Sequence, residues 1–185
     1  MITRLKVLKN QKAHQKKEKD KKMKYTTTNE LAHFGFAEAY ISDIQKISGY
    51  FQLTLDNVMI SPDCSKNRDV REMRANEWNL KIREGTVASI VEEGYKVYNA
   101  DGKLMEEYED KPVTADQYNE LLKSFTDGEC CVISLEVQRL PLHVTDDSEV
   151  KNTYLVTIDA SNGHAYVLEI TGTGDFEEWN RFLNK

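Results

Sequence analysis

Hydrophobic and polar residues alternate along much of the chain. Tyr50-Phe51-Gln52-Leu53-Thr54-Leu55 puts Phe51, Leu53 and Leu55 on one face and Gln52 and Thr54 on the other. That is the period-two pattern of a half-buried strand. The pattern predicts further strands at Ala39–Gln45, Trp78–Ile82, Thr86–Glu92, Tyr95–Tyr98, Lys103–Tyr108, Cys130–Gln138, Tyr154–Asp159 and Ala165–Thr171. Ser48-Gly49 joins the first two strands. Asp101-Gly102 and Asn162-Gly163 supply residues that tolerate positive φ, and so mark two more hairpin turns.

Helical signals are fewer. Thr114-Ala115-Asp116-Gln117 reads as a capping box, followed by an apolar stripe of Tyr118, Leu121, Leu122 and Phe125. Asp175-Phe176-Glu177-Glu178 predicts a second, terminal helix, with Asp175 as N-cap and Phe176, Trp179 and Phe182 on one face. Asn29 is expected to cap a single helical turn over residues 30–34. The fold class is therefore α+β: a mainly antiparallel sheet of about 8–9 short strands with two short helices. There is also a sign of internal repetition. Ile41–Ile47 resembles Ile133–Leu140 with one residue gapped, and Leu53-Thr54-Leu55-Asp56 resembles Val156-Thr157-Ile158-Asp159. Two related halves separated by the Thr114 helix would place a cleft between them.

Composition bounds the class. At 185 residues, with 39% hydrophobic and 30% charged, the chain suits one compact domain with or without a tail. No stretch approaches the roughly 20 apolar residues of a membrane helix. Three cysteines, an odd number, fit a reducing compartment better than a disulfide framework. A soluble, cytoplasmic protein is the expectation.

Charge is distributed unevenly. Residues 1–24 hold ten basic side chains against two acidic ones, whereas residues 25–185 hold fifteen against twenty-nine. Residues 1–24 are expected to be a solvated basic tail, and residues 25–185 a single α+β domain. Lys, Glu and Asp codons are purine-rich, so a ribosome-binding leader read in frame would give the same peptide, with translation starting at Met23. A real tail would suit nucleic-acid phosphates or an anionic membrane surface; a start at Met23 removes that partner. The acidic body favours association with a basic protein partner.

Candidate chemistry is sparse. Lys66, Arg68, Arg71 and Arg74 bring four of the body's fifteen cations into nine residues. On a helix, the three arginines would share a face and suit a phosphate or carboxylate ligand. A solvated turn in which Glu72 and Asp69 answer those charges explains them equally well. No CxxC, HxxxH or HxH spacing occurs, so no metal and no cofactor is implied. A cysteine nucleophile would need a histidine nearby, and His143 or His164 could be close only through the fold. Asp159, Ser161 and His164 carry the letters of a hydrolase triad on a hairpin turn that would splay them apart. Residues 97–108 lack the carboxylates a calcium loop needs at both ends. Glu106, Glu107, Glu109 and Asp110 read as a solvated face or a blunted sheet edge.

The functional expectation is a non-enzymatic binding module for a protein partner. The alternative is an anion-binding domain or small enzyme using Lys66, Arg68, Arg71 and Arg74, with Asp56 or Asp159 as the acid.

Overall fold

A computed structural model describes residues 23–47, 49–126, 129–139 and 151–183. In chain order the strands are β1 (Tyr25–Thr28), β2 (Phe34–Gly35), β3 (Ala39–Ile47), β4 (Tyr50–Asp56), β5 (Val58–Ile60), β6 (Met73–Ala75), β7 (Trp78–Arg83), β8 (Thr86–Glu92), β9 (Lys96–Tyr98), β10 (Leu104–Glu107) and β11 (Lys111–Pro112). A 3-10 turn, Ala115–Gln117, runs into α1 (Tyr118–Ser124), and β12 (Cys131–Gln138), β13 (Asn152–Asp159), β14 (Ala165–Gly172) and β15 (Gly174–Trp179) follow.

Ten strands form one antiparallel sheet in the order β1-β15-β7-β4-β3-β12-β13-β14-β8-β11. β7 and β8 are two segments of one long bent strand, as are β14 and β15. Arg83 lies opposite Gly174 and Thr86 opposite Thr171, so the ladder keeps its register across the bend. The order therefore closes on itself. The two long strands pair with each other, β4 and β3 continue from one, β13 and β12 from the other, and β3 meets β12 at Ala39–Val132 and Tyr40–Cys131. The result is a six-stranded barrel with β1 and β11 added at its flanks.

The bend needs glycine. A Cβ on Gly172 would lie 2.3 Å from Ile82 Cγ2 and 2.7 Å from the Arg83 carbonyl, and one on Gly85 would lie 2.5 Å from Phe51 Cβ. The two hairpins that close the barrel share a register. In β3–β4, Tyr40 pairs with Asp56 and Ile41 with Leu55, with a bulge before Asp43. In β12–β13, Cys131 pairs with Asp159 and Val132 with Ile158, with a bulge before Ser134. Leu53–Asp56 thus corresponds to Val156–Asp159, whereas Ile41 corresponds to Val132 and not to Ile133.

The alternation seen in the sequence fills the barrel. Phe51, Leu53, Leu55, Trp78, Leu80, Ile82, Val156, Ile158, Leu168 and Ile170 are all buried in one core cluster. A small sheet, β2-β5-β6, adds Phe34, Val58, Ile60 and Ala75 to that cluster. The capping box forms as expected: Gln117 Oε1 accepts from the Thr114 hydroxyl at 2.9 Å and from its N–H at 3.4 Å. Phe125 at the end of α1 is buried against Tyr166.

Four expectations need correcting. The sheet has ten strands, not eight or nine, and α1 is the only α-helix among the described residues, not one of two. Asp175–Glu178 lies in β15, because β1 and β7 pair with it along both edges. Backbone partners on both sides override the chance three-residue spacing of Phe176, Trp179 and Phe182. Residues 66–72 form turns, not a helix, and Arg74 belongs to β6. Asn29 is no N-cap either: it sits at φ 59°, one residue before the position preceding the Leu31–His33 3-10 turn. No helix among the described residues is long and apolar enough to cross a membrane. The basic stretch 1–22 lies outside the described residues.

Candidate functional site

After β8 the chain leaves the barrel in a two-stranded ribbon, β9–β10, that pairs with no other strand among the described residues. Its base is tight. Gly94 passes so close to Tyr108 that a Cβ would sit 2.0 Å from the Tyr108 carbonyl oxygen, and its N–H donates to Asp110 Oδ1 at 2.8 Å. The Tyr95 and Tyr108 rings stack with centroids 4.4 Å apart. Lys96 pairs with Glu107 at 2.7 Å across the strands. At the tip, Asn99 Oδ1 accepts from the N–H groups of Asp101 and Lys103, and Gly102 adopts φ 77°. This is the Asp-Gly turn that the sequence announces. Tyr108 donates to Glu106 at 2.6 Å, and that carboxylate pushes the phenol up to about 12.

Every residue of β9 and β10 is exposed. Of ten exposed large hydrophobic residues among those described, six lie on this ribbon: Tyr95, Val97, Tyr98, Leu104, Met105 and Tyr108. Seven carboxylates and three cations accompany them over residues 92–111. An isolated hairpin cannot bury its apolar side chains on itself, so this one presents an apolar surface in an acidic frame.

The four predicted anion-binding residues separate. Arg74 donates to Asn57 Oδ1 at 2.6 Å and lies 3.6 Å from Glu38, so it braces the corner where Glu38 and Asn57 both have positive φ. Arg71 is exposed, and its N–H is taken by Asp69 Oδ1. Lys66 and Arg68 do share a cleft of about 510 Å³, together with Lys24, which the sequence reading left out. Neither Asp56 nor Asp159 lines it. Asp56 instead accepts from the Glu77 N–H at 2.8 Å.

A group the sequence reading missed lies inside the barrel. On β15, Asp175, Glu177 and Trp179 point inward and are buried. Asp175 lies 3.1 Å from Arg139 Nη2 and accepts from the Tyr154 hydroxyl at 2.7 Å. Glu177 Oε2 accepts from the Thr27 hydroxyl at 2.7 Å, while Glu177 Oε1 has no partner among the described residues. Burial pushes the Glu177 carboxyl up to about 7; the Asp175 charge adds to this, and the Thr27 hydrogen bond opposes it. Burial and the hydrogen bond to Asp175 likewise push the Tyr154 phenol up. The available signal was the alternation Asp175, Glu177, Trp179 directly after a Gly-Thr-Gly corner.

Among the described residues, no histidine is hydrogen-bonded to a candidate nucleophile. Burial raises the thiols of Cys64 and Cys131, which disfavours the thiolate. Cys130 is buried and accepts from the Ser161 N–H at 3.5 Å. His164 Nδ1 lies 3.0 Å from Glu92, so Asp159, Ser161 and His164 form no hydrogen-bonded chain. His143 lies outside the described residues. Among those described, no three His, Cys, Asp or Glu side chains converge to hold a metal ion. No family model, curated protein or solved structure matches the chain.

Proposed function

We propose that this protein is a non-enzymatic interaction module that docks on a protein partner through the β9–β10 ribbon. The single observation that carries this reading is the concentration of exposed apolar side chains on one projecting hairpin. Soluble surfaces seldom gather such residues unless something covers them, and aromatic anchors carry much of the energy in protein interfaces. The partner's matching face is apolar with a basic surround, because residues 92–111 carry seven carboxylates against three cations. Opposite charge around an apolar centre steers the encounter and fixes its orientation. The stacked tyrosines and the Lys96–Glu107 pair hold the ribbon in shape beforehand, which lowers the ordering cost of binding.

A photo-activatable cross-linker placed at position 98 of the full chain, in its own cells, tests this reading. Ile133, exposed elsewhere on the barrel, is the control position. One recurrent partner with a basic face, joined through position 98 and not through position 133, is expected. Equal adducts from both positions, or none from position 98, would overturn the reading.

A further inference from the structure

A second surface is opposite in character to the ribbon. Lys24, Lys66 and Arg68 stand around one cleft of about 510 Å³ whose apolar lining is Tyr25, Met73 and Phe182. None of these three cations lies within ion-pair distance of a carboxylate among the described residues, as is also true of Arg71, Arg83 and Lys103, so what sets them apart is that they share one cleft. Three cations against the single carboxylate of Asp69 leave the cleft lining with net positive charge, in a chain whose residues 25–185 hold twenty-nine acidic groups and fifteen basic ones.

The loop that carries Lys66 and Arg68 is fixed in place. The Asn67 side chain is buried, and its Nδ2 donates to the carbonyls of Ile60, Ser61 and Arg71 while its Oδ1 accepts from the Asp69 N–H. One residue before Lys66, the Ser65 N–H donates to Glu30 at 2.9 Å. Burial opposes ionisation of Glu30, yet the hydrogen bonds from Ser65 hold its carboxyl below the usual range. Lys66 and Arg68 are therefore presented by a backbone that is already ordered, so a ligand has only their side chains to immobilise. On the other wall, Tyr25 stacks on Trp179 at 5.4 Å and meets Phe182 at 4.9 Å, which anchors the apolar lining to the core. The Asp69 carboxylate also lines the cleft and accepts from the Arg71 N–H through Oδ1; its charge offsets one of the three cations.

We propose that this cleft binds a small anion attached to a flat apolar body, the anion held by Lys24, Lys66 and Arg68 and the body lying against Met73, Phe182 and the edge of Tyr25, whose ring already stacks on Trp179 and carries Lys24 Nζ 5.1 Å from its centroid. A guanidinium fork flanked by two ammonium groups suits a terminal phosphate or a carboxylate. A ring fits the aromatic wall better than a sugar or a bare ion does.

The test is titration of the full chain with AMP and with benzoate, the two sources of that chemistry, followed through the ring resonances of Tyr25 and Phe182. Ribose 5-phosphate and adenosine serve as the half-ligands. At least one of AMP and benzoate is expected to saturate with a Kd of about 1 mM or tighter. Binding should weaken by about tenfold or more in the Lys66→Gln/Arg68→Gln double variant and stay unchanged in Arg71→Gln, which lies outside the cleft lining. The basic residues 1–22 are intact in both variants, so binding through that stretch would survive the double substitution. Any of three results overturns the proposal: neither compound saturates, the double variant binds as tightly as wild type, or a half-ligand binds as well as the whole one.

Discussion

Tyr40 lies opposite Cys131, and this pair, with Ala39 opposite Val132, closes the barrel. By register, Tyr40 and Cys131 are also counterparts, each pairing with the aspartate that ends the neighbouring strand, Asp56 or Asp159. The seam has two register pairs, whereas β13 and β14 share eight. Local opening is easiest where the fewest ladder bonds must break. The Ile41 amide, which bonds to the Cys130 carbonyl at 3.0 Å, is therefore expected to exchange with solvent deuterium before the amides of Val156 and Ile158. Seam amides that exchange last would show that the barrel opens elsewhere.

Glu177 sets a pH dependence of stability. Its folded-state carboxyl is raised to about 7 from an ordinary value near 4.5. The unfolded chain therefore loses this proton first, and the native state binds more protons between those two values. The stabilisation is complete below pH 4.5 and is lost as pH rises through 7, amounting to at most about 3 kcal/mol. The melting temperature of the wild type is expected to fall between pH 5 and pH 8. Glu177→Gln, whose amide oxygen can still accept from Thr27, should flatten that profile. A wild-type profile as flat as the variant's would mean that Glu177 is ionised in the folded state at all these pH values.

The bend between β14 and β15 distinguishes two nearby glycines. Gly172→Ala drives a methyl group into Ile82 and the Arg83 carbonyl, while a Cβ on Gly174 meets nothing within 4 Å. Thermal or denaturant unfolding should show a loss of about 1–3 kcal/mol for Gly172→Ala and a change within about 0.5 kcal/mol for Gly174→Ala. Equal effects would mean that the long strands do not cross so closely at this corner.

Most of the sheet was legible in the sequence because its cues are local. Phe51, Leu53 and Leu55 alternate without interruption, and the Asp101-Gly102 and Asn162-Gly163 turns carry their own backbone preference. The missed elements depend on partners far along the chain. Tyr25-Thr26-Thr27-Thr28 is too polar to read as a strand by itself, yet β15 pairs with all four residues and Thr27 is buried against Glu177. β15 in turn puts two carboxylates into the interior, which defeats a reading that assigns acidic residues to helix starts or to solvent. At the arginine cluster the residue types were read but not the turns. Asn67 and Asp69 each accept a backbone N–H two residues ahead, a turn chemistry that breaks the helical spacing of Arg68, Arg71 and Arg74.

The same arginines should separate by stability. Arg74→Gln removes the hydrogen bond to Asn57 and the proximity to Glu38, for an expected loss of about 1 kcal/mol. Arg68→Gln and Arg71→Gln should each stay within about 0.5 kcal/mol of wild type, as exposed residues usually do. Three equal losses in denaturant unfolding would contradict the separation of Arg74 from its neighbours.

The central claim is that the β9–β10 ribbon is a docking element. Its most direct test is the affinity between the full chain and the protein cross-linked through position 98, measured across a range of salt for wild type and for Tyr98→Ser/Met105→Ser. Both side chains are exposed, so the melting temperature of the variant should match wild type. The predicted result is binding at least about tenfold weaker in the variant, together with wild-type affinity that falls as salt screens the acidic frame. An unchanged affinity in the variant, at any salt, would contradict the account.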